Sequence, residues 1–376
     1  MSSCMLAETN IRLGVSLSCG VADRPHIVTM DTYPETGQRL CYDTEGGPRP
    51  CDWGEDAEIG AGSAWPEPRF VTGAETVLDH LTGLTWTQNA NLAEFPLTWE
   101  EALEFVADVG LGHSDWRLPN RRELRSLLSY QTHRPALPRG HPFTQLFPGW
   151  YWSSTSAAIS PAHAWYVHMD GGRMFYGGKD QSFMVWPVRG EGNGLLSATG
   201  QTRCYDEAGR PIPCSGSGQD GEHRMGRTWP EPRFVCEGDA LFDRLAGLVW
   251  HRNADLAQGA VNWQQALEAV QRLRVKEGKP WRLPNVNELE LLVDCDHSNP
   301  ALPAGANFDD LGEGYWSATT SVYEPDWAWA LYMAKGAIGV GQKRDPHFQV
   351  MAVRDGASPG VHDSGLNDYR ESCTAL

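Results

Sequence analysis

The sequence lacks an excess of basic charge. Its 376 residues include 31 Lys and Arg against 48 Asp and Glu, which gives a formal net charge of −17. Nucleic acid, heparin-like polyanions and anionic lipid surfaces each require a basic footprint, so this charge disfavours them as main partners, although a local basic patch stays open. No apolar run approaches the roughly 20 residues of a membrane-spanning helix, and no membrane span is predicted.

The N-terminal stretch also lacks the basic n-region of a secretory signal. A mildly apolar patch from Ile11 to Val21 is interrupted by Gly, Ser and Cys. We identify no convincing signal peptide in it.

Recognisable catalytic motifs are missing as well. The sequence contains no G-x-S-x-G, no H-E-x-x-H, no P-loop and no dinucleotide-binding glycine motif. No cofactor and no metal site is predicted; the acidic balance permits calcium, but no loop has a recognisable ligand spacing. We therefore expect a protein that is not an enzyme, with no catalytic residue.

What the sequence does contain is a long internal duplication. "DWRLPNRRELRSLL", from Asp115, is nearly repeated as "PWRLPNVNELELLV", from Pro280. "TGQRLCYD", "WPEPRFV", "TGLTW", "YWSST" and "AWYVHM" also recur in the same order, at offsets from 204 − 41 = 163 to 281 − 116 = 165 residues. A period this long indicates a duplicated domain rather than a solenoid. The predicted boundaries are a leader (1–35), repeat 1 (36–190), a linker (191–198), repeat 2 (199–356) and a polar tail (357–376).

The twin "WRLPN" motifs predict the starts of two helices. Asn120 precedes Glu123 by three residues, as Asn285 precedes Glu288, and an apolar stripe follows each pair. An Asn side chain can cap the free N–H groups of the first turn, and a Glu at the third position can reach back to the cap residue. We predict that these four residues are structural helix caps.

A second capped helix precedes each motif, and the remainder of each repeat has the pattern of short strands. Thr98 with Glu101, and Asn262 with Gln265, form capping boxes ahead of apolar positions at helical spacing. "AWYVHM" alternates between apolar and polar positions, and "DGG" after it predicts a hairpin turn. The expected fold class is α+β, with two helices and a small antiparallel sheet in each repeat.

Together these motifs resemble the Lcl C-terminal domain family of bacterial proteins, twice in tandem. The resemblance implies C-type-lectin-like folds in exported or surface proteins, some of which bind glycans or act as adhesins. Two departures put a calcium site of the family's kind in doubt. The final strand carries Pro187 and Ala352 where the family often has Cys, and the stretch before "TGLTW" is not rich in Asp and Gly.

The nine cysteines predict disulfides and an oxidising compartment. Cys41 with Cys51, and Cys204 with Cys214, share a nine-residue gap around a turn, which favours two local bridges. Cys236 and Cys295 occur only in repeat 2, so we predict that they form a third bridge; two unrelated buried thiols are the alternative. Cys4, Cys19 and Cys373 lie outside both repeats. Several bridges indicate export to the periplasm, cell surface or medium, despite the missing signal peptide.

In lectin-like folds the late loops carry the ligand, and here the repeats differ most in those loops, although drift of exposed loops is an equal explanation. Aromatic rings and donors there can stack on sugars or anchor a protein. The predicted ligand-binding residues are Tyr166, His168, Arg173, Tyr176, Tyr323, Trp327, Tyr332, Lys343, Arg344 and His347.

The leading hypothesis is an exported binding protein or adhesin that recognises a glycan or a protein surface. The alternative is a structural subunit of a bacterial surface or pilus-like assembly.

Overall fold

The two repeats fold into the same succession of elements. The computed structural model describes residues 33–356, so the predictions for the leader before Tyr33, for the tail, and for Cys4, Cys19 and Cys373 lie outside the described residues. In repeat 1 the elements are β1 (Cys41–Tyr42), β2 (Pro48–Arg49), α1 (Asp56–Ile59), β3 (Phe70–Thr72), β4 (Thr76–Asp79), β5 (Leu84–Thr87), α2 (Trp99–Ala107), α3 (Arg121–Ser126), β6 (Trp150–Ser156), β7 (His163–His168), β8 (Met174–Gly178) and β9 (Val188–Arg189).

Repeat 2 follows the same order. Its elements are β10 (Cys204–Tyr205), β11 (Pro211–Ile212), α4 (Asp220–His223), β12 (Phe234–Glu237), β13 (Ala240–Asp243), β14 (Leu248–His251), α5 (Trp263–Glu277), α6 (Val286–Leu292), β15 (Gly314–Thr320), β16 (Trp327–Tyr332), β17 (Ala337–Gln342) and β18 (Val353–Asp355). Each repeat thus has the two predicted helices and, in addition, a four-residue helix, α1 or α4.

The longer helices begin where the capping boxes predicted. The Thr98 side chain accepts a hydrogen bond from the backbone of Glu101 at the start of α2, and the Glu101 side chain accepts one from the backbone of Thr98. Asn262 and Gln265 repeat this exchange at the start of α5. Each box satisfies N–H groups that have no partner within the helix, which fixes the first residue of the helix.

Three main sheets organise the chain. Strands β3-β4-β5-β9 form a four-stranded sheet in repeat 1, and β12-β13-β14-β18 form its counterpart in repeat 2. The third sheet has six strands in the order β15-β16-β17-β8-β7-β6, so three come from each repeat. Strands β17 and β8 join at its centre, where Ile338 pairs with Met174. Both repeats accordingly lie within one compact unit.

Tryptophan fills the interior. Eight of the largest fully buried side chains are Trp: Trp86, Trp152, Trp165, Trp186, Trp250, Trp263, Trp281 and Trp316. An aromatic side chain of this size removes a large apolar area from water, which suits a fold with short strands and many loops. The predicted alternation of "AWYVHM" is confirmed, because Trp165, Val167 and Met169 are buried while Tyr166 and His168 are half-buried.

The N-terminal segment of each repeat packs against the body of the other repeat. We call residues 36–59 and 199–223 the disulfide segments. Gln38 exchanges hydrogen bonds of 2.8 and 2.9 Å with the backbone of Thr320, and Thr319 donates to Asp56 at 2.6 Å. The reverse exchange is also present: Gln201 pairs with the backbone of Ser156, and Thr155 donates to Asp220 at 2.6 Å. The two repeats are therefore interlocked rather than joined only by residues 191–198.

Candidate functional site

The first "WRLPN" motif builds a helix cap and a buried ion pair. The Asn120 side chain accepts hydrogen bonds from the backbone of Arg122 and Glu123, both at 3.0 Å, and Glu123 accepts one from the backbone of Asn120 at 2.9 Å. The predicted cap is confirmed. Arg117 of the same motif donates twice to Glu123, each time at 2.7 Å, in a buried bidentate pair.

The second motif repeats this arrangement. Asn285 and Glu288 form a capping box at α6, again as predicted, and Arg282 donates twice to Glu288 at 2.6 Å. Tyr33 also donates to Glu288, at 2.5 Å. A buried arginine requires a fixed partner, and the capping glutamate provides it. The twin motif is therefore scaffold in both repeats.

Helices α3 and α6 meet through an unequal set of charges. Arg121, Arg122 and Arg125 of α3 surround Glu290 of α6, with N–O distances of 3.2, 3.1 and 3.7 Å. All four side chains are buried. Burial opposes the ionisation of Glu290, but the three arginines outweigh it and hold the pKa of that carboxyl below its ordinary value. The cluster fixes one repeat against the other.

Lys343, one of the predicted ligand residues, belongs to this scaffold too. Its ammonium is buried, donates to the carbonyls of Tyr42 and Asp43 at 2.9 and 3.2 Å, and lies 4.2 Å from the ring centre of Trp263. Burial lowers its pKa to about 7. Because the Lys343 side chain is buried and its ammonium is bound to two carbonyls, it is unavailable to a ligand. We therefore remove Lys343 from the candidate site.

Lys179 occupies the same place in repeat 1. It donates to the carbonyls of Tyr205 and Asp206 at 3.1 and 3.3 Å and lies 3.9 Å from the ring centre of Trp99. Burial lowers its pKa to about 7 as well. Each lysine therefore holds the other repeat's disulfide segment. The two lysines align between the repeats, and this alignment could have indicated a shared structural role.

Two of the three predicted disulfides are present. Cys41–Cys51 and Cys204–Cys214 are confirmed. The predicted Cys236–Cys295 bridge is wrong: Cys295 is a free, buried thiol, and Cys236 is disulfide-bonded to a different cysteine. The prediction failed because two residues that occur together in one repeat need not contact each other.

Tyr166 and His168 lie on one face of the six-stranded sheet. In the strand register His168 is opposite Trp150, and Tyr166 is opposite Phe175. Because paired residues share a face, all four side chains point the same way. The Trp150 ring centre is 4.6 Å from that of Tyr166 and 4.0 Å from that of His168. Phe175 is 39% exposed and the other three are half-buried, so the rings are accessible.

This face continues across the junction of the repeats. Burial lowers the pKa of His168, and Arg173 adds to that shift. Burial raises the pKa of Tyr332. Arg173 stands two residues before Phe175 and donates to Glu324 at 3.2 Å, so it lies at the border of the face with an acidic partner. The Lys335 ammonium lies 5.4 Å from the ring centre of Phe175 and 6.0 Å from that of Tyr332. We call Trp150, Tyr166, His168, Arg173, Phe175, Tyr332 and Lys335 the outer aromatic face.

Helix α2 covers only part of that side of the sheet. Trp152 points to the same side as Trp150 but is fully buried, because it packs with Trp99 and Leu103 of α2. Trp150 and Phe175 lie beyond the reach of the helix. The outer aromatic face is therefore the uncovered remainder of a surface that is otherwise part of the core.

Repeat 2 carries small residues at the equivalent positions. Trp150, Tyr166, Arg173 and Phe175 align with Gly314, Ala330, Ala337 and Gly339. The space over Gly339 is filled by the Tyr332 ring, which would lie 2.7 Å from a Cβ at that position. The Trp150, Tyr166 and Phe175 rings are thus a feature of repeat 1 on a backbone that both repeats share, while repeat 2 adds Tyr332 and Lys335 to the face.

The other predicted ligand residues lie elsewhere. Tyr176 turns to the opposite side of β8 and packs on Trp165, with ring centres 5.2 Å apart. Trp327 begins β16 and is half-buried. Tyr323 accepts a hydrogen bond from Arg134 at 2.8 Å.

Arg344 and His347 are exposed and paired with acidic residues. Arg344 is 2.7 Å from a carboxylate oxygen of Glu45, and His347 is 3.3 Å from one of Asp345. The predicted set therefore splits. Tyr166, His168, Arg173 and Tyr332 lie on one surface, and Tyr176 touches it, because its ring stacks on that of Phe175 with the centres 4.9 Å apart. The remaining members are not part of this surface: Tyr323, Trp327, Lys343, Arg344 and His347.

Sequence reasoning missed Trp150, Phe175 and Lys335. The signal that could have found the first two is the exchange of a large aromatic residue for glycine between aligned strands, at Gly314 and Gly339. Lys335 has no such signal, because its place depends on the pairing of β17 with β8.

Residues 33–356 show neither a metal-binding cluster nor a membrane span. Within that range no three His, Cys, Asp or Glu residues are grouped so that they could hold a metal ion. Over the same range no helix has the length and apolar character needed to cross a bilayer.

These observations define a mixed α/β protein of tandem architecture, with few helices and several small antiparallel sheets. The chain belongs to the Lcl C-terminal domain family, whose model matches residues 75–189 and 239–354, more than half of the chain. The resemblance identified from the motifs is confirmed. Both matches begin after the disulfide segments. No curated protein matches the chain.

Proposed function

We propose that this chain is an exported, non-enzymatic binding protein of lectin-like fold that recognises a glycan or a protein surface through the outer aromatic face. The observation that carries the proposal is the contrast between Trp150, Tyr166 and Phe175 in repeat 1 and their small counterparts in repeat 2. A contiguous group of accessible rings marks an interaction site more often than a single exposed ring does.

The chemistry of the face suits recognition. Aromatic side chains and arginine supply most of the binding energy in known interfaces, because they bury a large area at a small loss of side-chain freedom. Tyr166 and His168 offer polar atoms at the ring edges, and Arg173 and Lys335 add cationic donors at the border of the face. The face therefore offers both apolar contacts and hydrogen-bonding groups to a sugar ring or to the side chains of a protein partner.

Export is supported by the two local disulfides, Cys41–Cys51 and Cys204–Cys214, since such bridges persist in oxidising compartments. A non-enzymatic role is supported by the free thiol. Burial raises the pKa of Cys295 to about 12, and a buried, protonated thiol is a poor nucleophile.

The test is a glycan and protein array probed with the purified, disulfide-bonded chain at a concentration at which it is monomeric by light scattering. Binding of the monomer to one class of ligand is the expected result. Failure to bind, together with assembly into a larger particle, would overturn the proposal in favour of a structural subunit of a surface assembly. Such an assembly would cover the same rings with a second protein.

A further inference from the structure

A second concave surface lies in repeat 1, at the loop that follows α3. Residues 131–141 pack beside Leu40, Tyr42 and Val322, and a groove of about 480 Å³ runs between them. A second hollow of about 410 Å³ shares Arg134, Pro135 and His141 with it. We call these two hollows the basic groove. Each is large enough to bury several side chains of a ligand.

The charge of the basic groove is opposite to that of the whole chain. Arg134, Arg139, His133 and His141 line the larger hollow, and no Asp or Glu is among its lining residues. Burial lowers the pKa of His141, so this imidazole adds no positive charge at neutral pH and the arginines carry the charge of the hollow. The chain as a whole has a formal net charge of −17. In the smaller hollow, Asp170 pairs with Arg134 at 3.1 Å. The groove is thus a local basic patch of the kind that the net charge alone could not exclude.

The same loop in repeat 2 has lost every one of these groups. His133, Arg134, Arg139 and His141 align with Ser298, Asn299, Ala304 and Ala306. The backbone is preserved, because Arg134 and Asn299 both have a φ of 55°. Asn tolerates this left-handed conformation better than most residues with a side chain, whereas Arg is strained in it. Repeat 1 therefore has an arginine, Arg134, at a position where repeat 2 has Asn299, which is less strained in this conformation.

One of the basic groups, Arg139, remains available. Arg139 is exposed at the rim, and we find no carboxylate within ion-pair distance of it among residues 33–356. The Nδ1 atom of His141 is buried and makes no hydrogen bond within the described part of the chain. An arginine fork matches a carboxylate in geometry, so Arg139 can hold one from the rim of the groove.

The walls of the groove favour a peptide over a sugar. Leu40, Leu137, Pro135, Pro138 and Val322 give an apolar lining. A sugar ring presents many hydroxyl groups, each of which donates and accepts, so its site needs acceptors as well as donors. The neutral side-chain acceptors of the larger hollow are Gln131, Thr132, the Tyr42 hydroxyl and the neutral imidazoles, and the two arginines only donate. A chain that alternates apolar side chains with carboxylates fits this lining of donors and hydrocarbon better.

We propose that the basic groove binds an acidic, extended peptide segment of a partner protein. The Arg139 guanidinium holds a carboxylate, the neighbouring prolines and leucines hold the apolar side chains, and Arg134 borders both hollows. The basic groove shares no residue with the outer aromatic face, although Asp170 of the smaller hollow lies two residues after His168. The chain would then hold its primary ligand on one surface and a protein partner on the other. The proposal goes beyond the proposed function and does not depend on it.

The test compares two labelled octapeptides by fluorescence anisotropy with the full chain. One has the order Glu-Leu-Pro-Glu-Leu-Pro-Glu-Leu, and the other has Gln in place of each Glu. The groove variant is R134N/R139A/H141A, which installs the residues that repeat 2 carries on the same backbone. The control is R272A/R274A, which removes two exposed positive charges from α5, outside the groove. If the groove variant melts well below the wild type, R139A alone replaces it.

The expected result is that the wild type and the control bind the Glu peptide at least about tenfold more tightly than the Gln peptide, as one charge-assisted contact would give. The groove variant loses this preference while its binding through the outer aromatic face is unchanged. The proposal is overturned if the wild type does not prefer the Glu peptide, or if the groove variant keeps the preference. Tetragalacturonate, an acidic sugar, serves as a competitor. If it displaces the Glu peptide, and the wild type binds the Glu and Gln peptides equally, the groove does not recognise an acidic peptide and the proposal is overturned.

Discussion

Where repeat 1 carries Trp150 on strand β6, repeat 2 carries Gly314 on β15, and where repeat 1 carries Arg139 in the loop of the basic groove, repeat 2 carries Ala304. Most of the scaffold shows no such divergence; the exception is the cluster around Glu290, because Arg125 of repeat 1 aligns with Glu290 itself. The arginine–glutamate pairs of Arg117 with Glu123 and of Arg282 with Glu288 have closest N–O distances of 2.7 and 2.6 Å.

The comparison separates two kinds of residue on one fold. Residues that both repeats share hold the chain together: the helix caps, the buried ion pairs, the disulfides and the lysines under the disulfide segments. Residues that only repeat 1 has lie in two places. Arg121, Arg122 and Arg125 are buried between the repeats, whereas Trp150, Tyr166, Phe175 and Arg139 reach accessible surfaces.

The interface between the repeats should be the most sensitive part of the scaffold. Replacing Glu290 with Ala leaves Arg121, Arg122 and Arg125 buried without their carboxylate, which we expect to lower the free energy of unfolding by about 3–5 kcal/mol. Urea denaturation measures the change. Glu268→Ala, at an exposed pair on α5, is the control and should cost under about 1 kcal/mol. Equal costs for the two substitutions would contradict the assignment of Glu290.

The two local disulfides should contribute equally, because they close loops of the same length. Each has a sequence separation of 10. Chain-entropy arguments give about 2–3 kcal/mol for a loop of this size, so C41A/C51A and C204A/C214A should each lower the free energy of unfolding by about that amount. Urea denaturation without reductant compares the two double variants. A large difference between them would break the symmetry claimed for the scaffold.

Two buried carboxyls give the scaffold a pH dependence of definite sign. Burial raises the pKa of Asp56 and of Asp220 from 3.8 to about 6. The folded state then binds more protons than the unfolded state between pH 4 and pH 6. The stabilisation from these groups is therefore complete below about pH 4 and is lost as the pH rises to about 6.

Replacing both with Asn should remove this trend. We expect D56N/D220N to flatten the slope of stability against pH between 4 and 6 by about 1 kcal/mol per pH unit for each group. Urea midpoints at four pH values from 4.5 to 7.5 measure the slope. An unchanged slope in the double variant would show that other groups govern acid behaviour.

The smallest effect is expected where a predicted ligand residue lies on the surface with an acidic partner. Arg344 is 57% exposed and Glu45 is 60% exposed in their ion pair. Such pairs contribute little, so Arg344→Ala should change the free energy of unfolding by under about 0.5 kcal/mol and leave ligand binding as it was. A loss of binding would return Arg344 to the candidate site.

The sequence was sufficient for features that depend on neighbours along the chain. The caps at Asn120 and Asn285, the alternation of β7 and the bridge Cys41–Cys51 each involve residues within about ten positions, and all were predicted correctly. The features it could not supply are long-range. Nothing near Lys343 indicates that its ammonium meets the carbonyl of Tyr42, about 300 residues away.

The candidate site was predicted only in part for the same reason. Tyr166 and His168 were identified from one strand, but the face that they form also needs Phe175 on the next strand and Lys335 beyond the repeat junction. The error on Cys236 has a different origin. Contact was inferred there from co-occurrence, and co-occurrence carries no information about distance.

The most direct test of the outer aromatic face uses the ligand that the glycan and protein array identifies. Calorimetry measures the dissociation constant of that ligand for three forms of the chain. The forms are the wild type, Y166A/F175A, which removes two rings of the face, and Phe95→Ala, which removes an exposed ring outside it. We predict that Y166A/F175A weakens binding by more than about tenfold with a melting temperature within a few degrees of the wild type, while Phe95→Ala stays within about twofold. Equal affinities for all three forms would contradict the assignment of ligand binding to this face.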